Sequence, residues 1–128
     1  MIFLPLQSNH RLPLLLAAAD LHLVVQRQKA ADLVMPSKLA NIMAAGGDFI
    51  ATAGAATELG RVTTESQAGL LAPPEDADGL ARAILDLARD PGRRQEMAVQ
   101  ARKYAEVHWG REQILGQWED LLQGLVKA

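Results

Sequence analysis

The sequence predicts an α/β fold in which a parallel sheet is flanked by helices and followed by a helical C-terminal tail. Short apolar runs predict strands at residues 2–6, 21–25, 48–53 and 68–72, of which the first two are expected to be buried. Segments with a helical pattern separate these runs, and an alternation of strands and helices favours a parallel sheet. From about residue 76 onward the patterns are helical only.

Local signals fix where the helices of the sheet region begin and end. Residues 11–20 carry Pro13 in their first turn, where a missing N–H leaves no hydrogen bond unmade. Residues 37–45 are followed by Gly46 and Gly47, which accept the left-handed conformation at a helix C-terminus. Thr57 is a good N-cap for a short third helix.

The sequence of the tail predicts three helices. The first spans residues 76–90, and Asp90-Pro91, an N-cap followed by proline, starts a second that runs to about residue 108. The third spans residues 111–127 and carries one apolar stripe, made by Ile114, Leu115, Trp118, Leu121, Leu122 and Leu125.

Composition excludes several classes of function. Of 128 residues, 49% are apolar and 22% charged, which suits one domain with a real core. The formal net charge of −2 gives no positive field for nucleic acid. Cysteine is absent, so disulfides and thiolate metal sites are excluded. No apolar run approaches the roughly 20 residues that span a bilayer, and the N-terminus has no basic signal-peptide region.

Two helix N-termini define the candidate site. In an open parallel sheet, ligands bind outside the carboxyl ends of the strands. The helices that begin at Ser37 and Thr57 each follow a predicted strand and open at that edge. Their free N–H groups and positive dipole ends favour an anion, and phosphate is the common one.

Lys38 stands in the first turn of a helix, where a cation costs about 0.3–1 kcal/mol. A bound phosphate would offset that cost, and Asn41, three residues on, could hydrogen-bond a sugar hydroxyl. The alternative is a solvated lysine whose small cost is screened. Leu39, Ile42 and Met43 lie at helical spacing and should face the sheet.

The remaining polar residues give weaker signals. Glu58 suits a first helical turn either as a capping-region residue or as a ligand contact. His22 is interpreted as a core or edge residue and His108 as a structural helix end, while nothing local supports a role for His10. The histidines lack metal-ligand spacing. Arg93-Arg94 is interpreted as solvated helix surface, and no P-loop or nucleophile-elbow motif is present.

Read together, several segments resemble the C-terminal half of a group 1 (family four) glycosyltransferase of the GT-B type. The subgroup that they resemble most is that of the colanic acid biosynthesis glycosyltransferases. The resemblance covers nearly the whole chain in the right order, in "LLAAADLHLVVQ", "LVMPSKLANIMAAGGDFIATA", "ATELGRV", "AGLLAPPEDADGLARAILDLARDP" and "RKYAEVHW".

The resemblance implies a Rossmann-like donor-binding domain and a retaining glycosyltransferase of cell-surface or exopolysaccharide biosynthesis. The family binds a nucleotide-diphosphate sugar, and no metal or other cofactor is expected. Ser37 and Lys38 match the subgroup's "PSK", near the diphosphate and sugar, and Thr57 and Glu58 match its "TEL" beside the same cleft. With Asn41, these are the predicted donor-binding residues, and no catalytic nucleophile is predicted.

Two departures from the family pattern stand out. The wider family carries a pair of glutamates for the donor sugar and ribose, and ungapped alignment puts Leu33 and Asn41 at those positions. Asn41 can still hydrogen-bond a ribose, but Leu33 cannot replace a carboxylate. Neighbouring Asp32 could do so only after a loop shift.

The second departure is length. A complete enzyme of the family has an N-terminal acceptor-binding domain, so residues 1–128 are expected to be one partial domain, inactive alone. That domain divides into a sheet portion, 1–75, and a helical tail, 76–128. In the family the last helix crosses to the acceptor-binding domain, so here its apolar stripe would be exposed and self-association through the C-terminal helix is expected. The cytoplasm is the expected location, with the inner face of the membrane as the alternative for the intact enzyme. A non-catalytic nucleotide-binding or assembly module, and a GT-B sugar-nucleotide epimerase, stay open.

Overall fold

The computed structural model describes residues 2–30 and 35–127. This part of the chain forms six α-helices, three strands and one 3₁₀ turn, and the last three elements are all helices. In chain order they are α1 (Leu12–Ala17), β1 (His22–Val25), the 3₁₀ turn (Gln28–Ala30), α2 (Ser37–Ala44), β2 (Phe49–Thr52), α3 (Glu58–Ser66), β3 (Gly69–Ala72), α4 (Ala77–Ala88), α5 (Pro91–Trp109) and α6 (Arg111–Lys127).

The strands form a parallel sheet in the order β1-β2-β3. His22 pairs with Phe49, and Phe49 in turn pairs with Gly69, which fixes the register. Each helix between two strands returns the chain to the same edge, so the carboxyl ends of all three strands lie together. The predicted α/β class with a helical tail is confirmed.

The core lies mainly on one face of the sheet, where α2, α3 and α5 cover the strands. Its members are buried and apolar: Val24, Leu39, Ile42, Met43, Phe49, Ala51, Ala53, Leu59, Val62, Ala68, Ala101 and Ala105. On the other face Leu87 of α4 and Met97 of α5 cover Ile50 and Ala72. The sheet-facing prediction for α2 is therefore confirmed, because Leu39, Ile42 and Met43 are all buried.

Two predictions about strands are wrong. Residues 2–6 form no strand, and their side chains are exposed because no strand in the described chain pairs with them. β1 forms as predicted but is buried only at Val24, because Leu23 and Val25 remain 40% and 55% exposed. β1 lies at the sheet edge, and α4 packs on β2 and β3 instead.

The predicted helix signals are confirmed. Thr57 Oγ1 accepts a hydrogen bond from the Gly60 N–H, and Asp90 caps α5 in the same way. Gly46 has a φ of +71°, the left-handed conformation expected after α2. Within the described ranges, no helix is long and apolar enough to cross a bilayer.

Candidate nucleotide-binding edge

The N-termini of α2 and α3 follow β1 and β2 and open at the carboxyl edge of the sheet, as predicted. Pro36 is the N-cap residue of α2 and makes no side-chain hydrogen bond to it. The Leu39 N–H donates to the Pro36 carbonyl at 3.0 Å. Because no side chain caps this terminus, its first amides keep their capacity to bind an anion.

Lys38 reaches back toward the sheet. Its Nζ donates to the Leu23 carbonyl at 3.0 Å, on the edge strand β1. The contact gives the ammonium a partner without a ligand, which reduces the cost of a cation in the first turn. An ammonium has three donors, so two remain for another acceptor.

The start of α3 is held by a local network. The Thr57 hydroxyl donates to the Gly54 carbonyl at 2.8 Å and accepts from the Gly60 N–H at 3.1 Å, so it is fully engaged as a cap. Arg61 donates to both oxygens of Glu58, at 2.6 and 3.0 Å, and to Glu65 at 2.7 Å. Arg61 therefore holds the pKa of Glu58 below its usual range.

Ser37 and Glu58 line one cavity of about 410 Å³ between α2, α3 and the end of α5. Arg61 and Glu65 also line it, and so do three aromatic side chains of α5. No prediction from the sequence included this aromatic wall, made by Tyr104, His108 and Trp109.

The aromatic side chains contact one another. The rings of Tyr104 and His108 stack with centroids 4.2 Å apart, and Trp109 meets Tyr104 edge-on at 5.4 Å. Burial, together with the nearby Glu65 carboxylate, raises the pKa of Tyr104. One sequence signal could have predicted the contact between Tyr104 and His108: residues four positions apart lie next to each other on one face of a helix.

The other predicted site residues lie around the cavity. Asn41 lines a neighbouring groove with Arg102 and Glu106. Neither Lys38 nor Thr57 lines the α2–α3 cavity. The structure therefore groups Ser37 with Glu58, and Lys38 with the edge of β1. Leu33 and Asp32 lie outside the described residues.

Charge is distributed unevenly at this edge. Glu58 and Glu65 flank the single guanidinium of Arg61, so the network carries a net charge of about −1. This acidic network would not attract an anion, so any attraction for one would have to come from the α2 N-terminus and Lys38. Where the structure describes the chain, no group of three His, Cys, Asp or Glu side chains could hold a metal ion.

Comparison with known proteins shows what the chain is similar to. It is 41% identical over 125 residues, 97% of its length, to a protein of Escherichia coli named as a colanic acid biosynthesis glycosyl transferase, WcaI. Nearly the whole chain is therefore similar to one part of a glycosyl transferase. The resemblance inferred from the "MPSKLANIMAAGG" region and its neighbours is thereby confirmed.

The GT-B fold is supported independently by a solved structure. Sucrose-phosphate synthase from Thermosynechococcus elongatus superposes with a TM-score of 0.82 over 98% of this chain, at 24% identity. The chain spans 30% of the length of both of these proteins. No protein-family model matches the sequence.

Proposed function

We propose that this chain is the nucleotide-sugar donor-binding portion of a retaining glycosyltransferase that acts in cell-surface or exopolysaccharide biosynthesis. The observation that carries the proposal is the 41% identity to WcaI over 97% of the chain. The geometry supports it, because two helix N-termini open at the carboxyl edge of a parallel sheet.

The proposed chemistry is recognition of a diphosphate by cations and main-chain donors. The uncapped N-terminus of α2, at Ser37, would donate its amides to phosphate oxygens. Lys38 would add its two unused N–H donors from the edge of β1. Charge that builds on the leaving diphosphate would meet positive groups already in place, and stabilisation of this kind often contributes more to catalysis than any other effect. We propose no metal in this step, since these groups supply the positive charge.

Sugar recognition is proposed for two polar side chains in adjacent recesses, Glu58 in the α2–α3 cavity and Asn41 in the neighbouring groove. Asn41, one turn beyond Lys38, would hydrogen-bond a ribose hydroxyl with its amide group. Glu58, whose carboxylate is held in place by Arg61, would accept from a donor hydroxyl. Thr57 would act indirectly, because its hydroxyl is used to fix the start of α3.

Binding and transfer are separable in this proposal. We propose that this chain binds donor but does not transfer sugar alone, because the acceptor would be held by a further domain of the intact enzyme. A non-catalytic nucleotide-binding module would bind in the same way but would not regain transfer when that further domain is supplied.

The test is a titration of the ¹⁵N-labelled chain with UDP, GDP and their sugars. We expect saturable amide shifts over residues 37–41 and 57–58. Lys38→Ala should weaken binding about tenfold, the cost of one hydrogen bond between charged groups. Lys103→Ala, which removes the same charge from the exposed surface of α5, is the matched control. If the nucleotides shift the amide signals of neither segment, this site is excluded.

A further inference from the structure

Thr52 lies at the carboxyl end of β2, where β1 and β2 stop pairing. It is the last residue of β2, it pairs with Val25, and it is only 3% exposed. Its Oγ1 accepts a hydrogen bond from the Gln26 N–H at 2.8 Å and donates one to the Gln26 carbonyl at 2.9 Å. One buried hydroxyl therefore bonds both main-chain groups of the first residue after β1.

This contact replaces the regular pairing of a parallel sheet. At the start of β1, His22 pairs with Phe49, and the His22 N–H donates to the carbonyl of the preceding residue, Asp48. The same pattern, continued four residues further, would join the Gln26 N–H to the main-chain carbonyl of Thr52. That N–H donates to the side chain instead, so regular pairing ends here and the hydroxyl bridges the two strands.

The end of β1 lies at the edge where the donor site is proposed, because ligands bind outside the carboxyl ends of parallel strands. Both groups proposed to bind the diphosphate are attached to this strand. The loop that begins at Gln26 leads to Ser37, the first residue of α2. The Lys38 ammonium bonds the Leu23 carbonyl of β1 directly. A shift of the end of β1 would therefore displace the α2 amides and the Lys38 ammonium relative to each other.

We propose that Thr52 is a positioning residue of the donor site, whose hydroxyl holds the end of β1 and thereby the groups that bind the diphosphate. This role rests on the proposed function, because Thr52 acts through Gln26 and not on the ligand itself. A hydroxyl suits the task, since it donates and accepts at once. Thr52→Val keeps the shape of the side chain but removes both hydrogen bonds to Gln26, so the end of β1 would be held less firmly.

A second buried threonine separates positioning from a general loss of stability. Thr63 of α3 is 1% exposed, and its Oγ1 donates to the Leu59 carbonyl at 2.6 Å within the same helix. Thr63→Val removes a buried hydroxyl as Thr52→Val does, but that hydroxyl joins no two elements. Thr63→Val is therefore the matched control, and Thr52→Ser, which keeps the hydroxyl, is the rescue.

The test is the dissociation constant of UDP and GDP for wild type and these variants, together with hydrogen exchange of the Gln26 amide in the ¹⁵N-labelled chain. Thr52→Val should weaken nucleotide binding about tenfold, the size of one hydrogen bond. It should also accelerate exchange of the Gln26 amide. Thr52→Ser and Thr63→Val should bind within about twofold of wild type and leave the Gln26 exchange unchanged.

Three results would overturn the positioning role while the proposed function stands. They are equal affinity of Thr52→Val and wild type, equal weakening by Thr52→Val and Thr63→Val, and a Thr52→Ser chain that binds no better than Thr52→Val. A wild type that binds neither nucleotide would instead overturn the proposed function, and this role with it. Valine suits a buried strand, so Thr52→Val is expected to fold; Thr52→Ala also lacks the hydroxyl and gives the same comparison if it does not.

Discussion

Gly60 allows α3 to begin close against the turn that follows β2. A Cβ atom built at Gly60 would lie 2.1 Å from the Gly54 carbonyl oxygen and 2.9 Å from Ala55 Cα. These are backbone atoms, so no side-chain rotation relieves the overlap. Gly60→Ala should therefore push the start of α3, including Glu58, away from the turn.

The expected magnitude combines two opposing effects. Alanine in a helix is favoured over glycine by about 1 kcal/mol. Overpacking costs about 1–3 kcal/mol, and contact with rigid backbone belongs at the upper end. Gly60→Ala should thus lower the free energy of unfolding by about 2 kcal/mol, measured by urea denaturation.

Gly116 of α6 is the matched control, because a Cβ there meets nothing within 4 Å. Gly116→Ala should raise the free energy of unfolding by about 0.5–1 kcal/mol. If Gly60→Ala stabilised the chain as much as Gly116→Ala does, α3 would not pack on the turn as described.

Three further changes test other parts of the structure. Thr57→Ala should lower the free energy of unfolding by about 1 kcal/mol through loss of the cap on Gly60. In the same denaturation assay Thr57→Ser should keep most of that stability, and equal losses would contradict a capping role. Because burial raises the pKa of Asp48, the folded chain binds more protons than the unfolded chain above about pH 4. Wild-type stability should therefore fall as pH rises above about 4, and Asp48→Asn should gain stability relative to wild type over the same rise; a difference that stays constant with pH would contradict the burial effect. In sedimentation, Leu122→Glu should abolish self-association through the exposed stripe of α6, whereas Gln117→Glu should leave it intact; a monomeric wild type would exclude that interface.

Local chemistry made much of the fold predictable. Thr57, Asp90 and Gly46 adopt the cap positions that their side-chain chemistry or conformational freedom favours. His22, predicted to be a core or edge residue, lies half-buried on the edge strand with its Nε2 3.0 Å from the Leu16 carbonyl oxygen. These features depend on neighbours in sequence or on the strand pattern.

The predictions that are wrong concern contacts between elements that are distant in sequence. The apolar run at residues 2–6 has the composition of a strand, but a strand needs a neighbour, which composition does not supply. Leu23, Val24 and Val25 are all apolar, so the sequence does not distinguish them, yet only Val24 is buried. Arg94, predicted to be solvated helix surface, is half-buried and donates to the Asp20 carbonyl, a contact across 74 residues that no local pattern predicts.

The candidate site was predictable only in part. Helix N-termini at the carboxyl edge follow from the order of strands and helices, so Ser37 and Thr57 could be identified in advance. The partner of Lys38, the Leu23 carbonyl, could not, because it depends on β1 being an edge strand. The aromatic wall of α5 could not be predicted either, because it depends on α5 ending beside α2 and α3.

The central claim is that the α2 N-terminus and Lys38 together bind a diphosphate. The most direct measurement is the dissociation constant of UDP and GDP for wild type, Lys38→Ala and Lys103→Ala at one fixed ionic strength. Binding weakened about tenfold by Lys38→Ala but not by Lys103→Ala is the expected result. Equal affinities for the three chains, or no nucleotide binding at all, would contradict the claim.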